Sequence, residues 1–186
     1  SIEGPDAIDA KVWQTSEPLE EVLAVTRCGF SDGSGGVKAP KNARRASWGS
    51  AAFTMNAQGM TVKVAAACGE VPGRQTVPRA ELWGAINTLV RLPPSGSIDL
   101  HIDAKYVVKG ANEQLGNSLA RGLNGDLWVL YHELVKERNG ETRVWKVDAH
   151  QDEKGAEAVR AGTVRRELVM GNCLADSAAE AGAELV

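Results

Sequence analysis

Residues 28–36, CGFSDGSGG, bring an apolar run to its end at Asp32 and then open into a glycine-rich turn, which sets one carboxylate at the end of a strand. Three more acids stand in contexts that carry them to the same end of a sheet. Glu81 lies in the first turn of the amphipathic segment TVPRAELWGAINTLV (76–90), and Asp103 ends the short apolar strand SIDLHID (97–103). Asp176 follows Asn172 by one helical turn in GNCLADSAAEAGA (171–183). Four carboxylates converging from distant segments repel one another, which raises their pKa values and costs stability unless a divalent cation sits among them.

Working outward, the chain reads as an α/β domain. Residues 1–20 are polar and carry Pro5 and Pro18, which predicts an extended arm or linker ahead of a domain at 21–186. Three strand-like runs follow, near 22–32, 46–55 and 60–68, the last two joined by a turn at Asn56–Gly59. Pro78 suits the first turn of a helix, and Leu82, Ala85, Ile86 and Leu89 give it an apolar stripe that stops before Pro93-Pro94. In the next strand, alternation puts Ile98, Leu100 and Ile102 on one face and Asp99, His101 and Asp103 on the other. A helix starts near Ala104, and another spans about 123–138, with Asn124 or Asp126 as its cap and Leu127, Leu130, Tyr131 and Leu134 as its stripe. Strand TRVWKV (142–147) and a final helix from about Asn172, presenting Ala175, Ala178, Ala179 and Leu185 to the sheet, complete the order. This order predicts a mixed five-stranded sheet, three antiparallel strands followed by parallel ones, flanked by helices.

Composition narrows the function classes. A chain of 186 residues with 43% hydrophobic content buries one substantial core, and no run of eighteen apolar residues predicts a membrane span. The three cysteines, Cys28, Cys68 and Cys173, lack zinc or disulfide spacing and read as buried small hydrophobes of an intracellular, reducing compartment, with nucleus and cytoplasm both open. A net charge of −3 is compatible with a polyanionic partner, because two divalent ions on the acids would bring it to +1. Lys38, Lys41, Arg44 and Arg45 form a basic loop after the Asp32 turn; it reads either as a nucleic-acid contact or as a solvated hairpin.

Taken together and in order, SDGS, TVPRAEL, DAKYV, a lone His150 after a Trp-containing strand and the Asn172/Asp176 pair resemble a ribonuclease H domain of type 1 over residues 20–186. The resemblance implies a magnesium-dependent endonuclease, manganese being an alternative, that hydrolyses the RNA strand of RNA/DNA hybrids with two metal ions. By the same resemblance Asp32 bridges the ions, Glu81 and Asp103 hold one, Asp176 holds the other, and His150 assists proton transfer or product release. Hard, oxygen-only ligands suit Mg²⁺ or Mn²⁺. His101 and His132 are the other histidines, expected in the core and on a helix surface respectively. Gly33 and Ser34 are expected to meet a ribose 2′-hydroxyl, Thr76 and Arg79 a DNA-strand phosphate, Lys105 a phosphate, and Asn172 the substrate side of the site; Arg79 equally suits an ion pair with an acid.

Several positions depart from the pattern. Val77 and Pro78 stand where asparagines are frequent, Lys105 replaces a glutamine, and 111–122 holds only Arg121 in place of a basic, Trp-rich protrusion. The span between His150 and Asn172 is long and reads as an insertion, with Arg160, Arg165 and Arg166 facing either nucleic acid or neighbouring acids. These departures point toward a reverse-transcribing mobile element, with a reverse transcriptase domain as an expected partner in one polypeptide. The opening SIEGPDAIDA is compatible with a piece of such a polyprotein. Two other readings stay open: a catalytically silent nucleic-acid-binding or interaction module of the same fold, and a DNA-directed nuclease or strand transferase of the wider superfamily.

Overall fold

The computed structural model describes residues 13–14, 17–36, 40–148 and 166–184. Its strands are β1 (Trp13–Gln14), β2 (Cys28–Ser34), β3 (Ser47–Met55), β4 (Thr61–Glu70), β5 (Ile98–Ile102) and β6 (Thr142–Lys146). Its helices are α1 (Leu19–Thr26), α2 (Val77–Arg91), α3 (Lys105–Ala111), α4 (Asn117–Arg121), α5 (Gly125–Glu137) and α6 (Arg166–Glu184). The sheet runs β1-β4-β3-β2-β5-β6. β3 pairs antiparallel with both β2 and β4, whereas β5 pairs parallel with β2 and β6 with β5. The expected five strands are all present, and the two-residue β1 adds an edge beside Cys68 and Ala67 of β4.

The first expected strand, near 22–32, starts later than expected. Residues 19–26 form a helix, and β2 starts only at Cys28. The buried residues Leu19, Val22 and Leu23 follow helical spacing, and a boundary drawn after residue 20 cuts that stripe in two. Arg27 then ends the helix in the left-handed region at φ 54°, with its N–H bonded to Leu23 O.

Two layers of side chains enclose the sheet. On one face α1, α2, α3 and α5 bury Trp48, Leu82, Ile86, Ile98, Leu100, Ile102, Leu127, Trp128 and Tyr131 in one cluster. Each large apolar side chain of this kind contributes roughly 1.5–3 kcal/mol on burial. The other face is thinner: Phe30, Ala51, Ala66 and Cys68 meet Ala175 and Ala178 of α6.

α6 extends six residues beyond the start expected near Asn172, so the end of the presumed insertion, Arg166 onward, belongs to it. Its buried stripe is Gly171, Asn172, Ala175, Ala178, Ala179 and Gly182, which includes the three expected alanines; Leu185 lies outside the described residues. Small residues are required because the helix lies directly on β3. A Cβ at Gly49 would stand 2.4 Å from both Ala175 O and Ala179 N. Ser47 Oγ donates to Ala179 O across the same seam.

Candidate metal centre and nucleic-acid interface

Asp32 is the fifth residue of β2, paired across to Gly49, and only 4% exposed. The next residue explains its surroundings. A Cβ at Gly33 would lie 2.4 Å from Glu81 N, so the absence of a side chain lets α2 cross β2 at backbone contact and brings Glu81 beside Asp32. Glu81 is itself buried, in the second turn of α2 rather than the first. Asp103 follows the last residue of β5, one position before Ala104, the N-cap of α3.

Ligand-capable oxygens of Asp32, Glu81 and Asp103 all lie within 4.8 Å of one another. The fourth acid, Asp176, reaches the group from α6 through a hydrogen bond with the Asp32 carboxyl. The four predicted acids are thus brought together, three tightly and the fourth through Asp32.

Burial is the main force on these groups. It pushes Asp32 up to about 8, assisted by the hydrogen bond to Asp176 and the charge of Asp103 and opposed by the Gly33 N–H, which donates to Asp32 Oδ1 at 2.8 Å. It pushes Glu81 up to about 10, with the charges of Asp32 and Asp103 adding to it. Glu81 Oε2 is buried and has no hydrogen-bond partner among the described residues. Clustered, desolvated carboxylates with an orphaned oxygen, and no sulfur or nitrogen donor among them, fit one or more hard divalent cations.

A pH dependence follows. Both acids have raised pKa values in the fold, so without metal the folded chain keeps protons that the unfolded chain releases from about pH 4 upward. Metal-free stability should therefore fall as pH rises from about 4 through about 8 and on to about 10, the values for Asp32 and Glu81. Each held proton is worth roughly 1–3 kcal/mol between pH 5.5 and 8, or about 3–10 °C in Tm. Thermal melts in EDTA should show this drop, and millimolar Mg²⁺ or Mn²⁺ should reverse it at pH 8. A metal-free Tm that rises between those pH values would contradict the electrostatics described here.

No family model matches the chain, and no curated protein matches it. Solved structures do. The PFV RNase H domain superposes with a TM-score of 0.57 at 20% identity, covering 86% of this chain and 94% of that one. The Prototype Foamy Virus protease–reverse transcriptase gives 0.56 at 19% identity, over 86% of this chain but only 21% of that longer one. LC9-RNase H1, a type 1 RNase H with the type 2 active-site motif, gives 0.53 at 16%, over 83% and 72% of the two chains. The chain has the ribonuclease H fold. At these identities the likeness is one of architecture, and what each residue does has to be argued from its own surroundings.

Around the acids of this ribonuclease H fold the remaining expected residues divide. Gly33 and Ser34 pair with Trp48 and Ser47 in the sheet, and Ser34 Oγ accepts from Gly36 N at 3.3 Å. Thr76 is the exposed N-cap of α2 and makes no side-chain capping bond. It lines a groove of about 500 Å³ together with Arg74, Asn124 and Gly125. Arg74 is an exposed cation that the sequence reading passed over; its position two residues before Thr76 was the available signal.

Lys105 is exposed at the start of α3, and Lys41, Arg44 and Arg45 are exposed in the loop after β2. Asn172 is buried, donates through Nδ2 to Asp148 O at 3.3 Å, and leaves Oδ1 without a partner among the described residues. Arg79 is buried against Asp126 rather than open to solvent, the ion-pair alternative of the two. His150, Lys38, Arg160 and Arg165 lie outside the described residues.

The other two histidines are accounted for by packing. His101 stacks on Phe30 with ring centres 4.8 Å apart. His132 is not the surface residue expected: its Nε2 is 3.1 Å from Gly110 O, and its ring packs against Trp128 and Tyr131.

Proposed function

We propose that this chain is a divalent-metal-dependent endonuclease that hydrolyses the RNA strand of RNA/DNA hybrids. The observation that carries the reading is the convergence of Asp32, Glu81 and Asp103 within 4.8 Å in a buried corner, with Asp176 hydrogen-bonded to Asp32. A binding module gains nothing from such repulsion, whereas a hydrolase needs it to concentrate cations. In this reading Asp32 would serve two ions, Glu81 and Asp103 one, and Asp176 the second. Bound Mg²⁺ or Mn²⁺ would supply positive charge to the attacking water and the leaving 3′ oxygen of a phosphodiester.

The chain's own groups would do the rest. Backbone groups at Gly33 and Ser34 are candidates for reading the 2′-hydroxyl that separates RNA from DNA. Thr76 and Arg74, sharing one groove, suit a phosphate of the DNA strand, and Lys105 and the exposed Lys41, Arg44 and Arg45 suit further phosphates. Asn172, one turn from Asp176 and with its Oδ1 unpartnered among the described residues, is a candidate substrate contact. His150 moves a proton or helps product leave. The likeness to a protease–reverse transcriptase supports a retroelement setting, with a reverse transcriptase domain as partner in the same polypeptide. No helix among the described residues is long and apolar enough to cross a membrane.

The test is cleavage of matched, end-labelled RNA/DNA, RNA/RNA and DNA/DNA duplexes with Mg²⁺, Mn²⁺ or EDTA. Metal-dependent cutting of RNA in the hybrid alone supports the reading. Absence of cutting under every condition would leave the silent module, and cutting of DNA the wider superfamily. In the same assay His150→Ala should slow turnover by about 10²-fold or more, the usual contribution of a proton-transfer group. Unchanged turnover would remove His150 from the site.

A further inference from the structure

The first turn of α2 leads directly into Glu81, yet it lacks a side-chain cap to fix the helix start. Thr76 occupies the N-cap without a side-chain bond, and Pro78 has no N–H. Arg79 takes over this task. Its Nε donates to Pro72 O at 2.6 Å, which ties down the loop leading into the helix. Its Nη1 and Nη2 form a two-pronged pair with Asp126 Oδ1 and Oδ2 at 2.9 and 2.7 Å, and Nη1 also reaches Asn124 Oδ1 at 3.3 Å. Asp126 lies in the first turn of α5, where a negative charge is favourable, so the pair joins the starts of two helices. Gln75 braces the same loop by accepting from Ala46 N and donating to Val71 O and Gly73 O.

We infer that Arg79 and Asp126 form a positioning pair for the metal centre, setting where α2 begins and hence where Glu81 stands against Asp32 and Asp103. Arg79 precedes Glu81 by two residues, so a shift of the first turn is passed to the carboxylate through rigid helix. Arg79 borders the Thr76 groove but is only 7% exposed, and four of its five N–H groups are directed to internal acceptors, which favours this role over direct contact with a phosphate. The inference rests on the metal-dependent reading above.

The pair is tested with Arg79→Met, Asp126→Asn and the double variant, each taken through Mn²⁺ titration of the metal-free protein and steady-state cleavage of a hybrid. Mn²⁺ affinity and kcat should each fall about 10- to 100-fold in both single variants, as is usual when a group holding a ligand in place is removed. KM should stay within about threefold, and the double variant should be no worse than the poorer single one. A raised KM with kcat and Mn²⁺ affinity intact in Arg79→Met would make Arg79 a phosphate contact and overturn the inference. A lowered Tm with unaltered Mn²⁺ affinity and kcat would overturn it too, leaving only a structural brace. Asp126→Asn, which keeps one acceptor, serves if Arg79→Met fails to fold. Wild-type protein that neither binds Mn²⁺ nor cuts overturns the metal-nuclease reading itself, and the wild-type control identifies that case.

Discussion

Asp32→Asn should abolish hybrid cleavage, by at least about a thousandfold, while the folded protein without metal becomes more stable at pH 8. The activity loss follows from the contacts of Asp32, which groups with Glu81 and Asp103 and also meets Asp176. Charge stabilisation by metal ions is worth several kcal/mol in the transition state, and each 1.36 kcal/mol is a factor of ten in rate. An amide keeps the shape of the side chain and can still accept from Gly33 N, which now bonds Asp32 Oδ1. It removes, however, the negative charge around which the other acids are grouped.

The stability gain follows from the same charge. Asp32 is held well above the ordinary carboxylate range, chiefly by burial, and it raises Glu81 in turn. A neutral amide has no charged form to penalise, so metal-free Asp32→Asn should melt a few degrees above the wild type at pH 8. Its melt should also respond little to Mg²⁺. Lost activity together with a lowered metal-free Tm would mean that the variant damages the fold, and the assignment of Asp32 to the metal centre would lose its support.

The parts of this molecule that were legible in the sequence are those whose signal is local. Asp32 lies two residues before the end of β2 and Asp103 directly after β5, in strands that show their own apolar pattern, and Glu81 sits in a helix announced by Pro78 and an apolar stripe. The start of α6 is missed because residues 166–171 are read as part of the long span after His150, although Leu168 packs against the same cluster as the later alanines. α1 was read as strand because its three buried residues fell on both sides of an assumed linker boundary. Arg79 shows a different obstacle. Its partner Asp126 is 47 positions away, and only the packing of α2 against α5 decides between an internal ion pair and an open cation.

Gly33→Ala should damage fold and site together, a combination that no substitution of a ligand produces. The added Cβ would stand 2.4 Å from Glu81 N, 2.7 Å from Ala80 C and 2.9 Å from Ala80 Cβ. Two of those atoms are backbone, so no rotamer change relieves the clash, and either β2 or the start of α2 must move. Overpacking of this kind costs about 1–3 kcal/mol and occasionally more, or roughly 3–10 °C in Tm for a domain of this size. Because the displaced atom belongs to Glu81, protein that remains folded at low temperature should also show weaker Mn²⁺ binding and slower cleavage. Gly116→Ala is the matched control, since a Cβ there meets nothing within 4 Å, and it should leave Tm, Mn²⁺ affinity and kcat unchanged. If Gly33→Ala behaved like Gly116→Ala, helix and strand would not be in backbone contact at the site. The closeness of Glu81 to Asp32 would then need another cause.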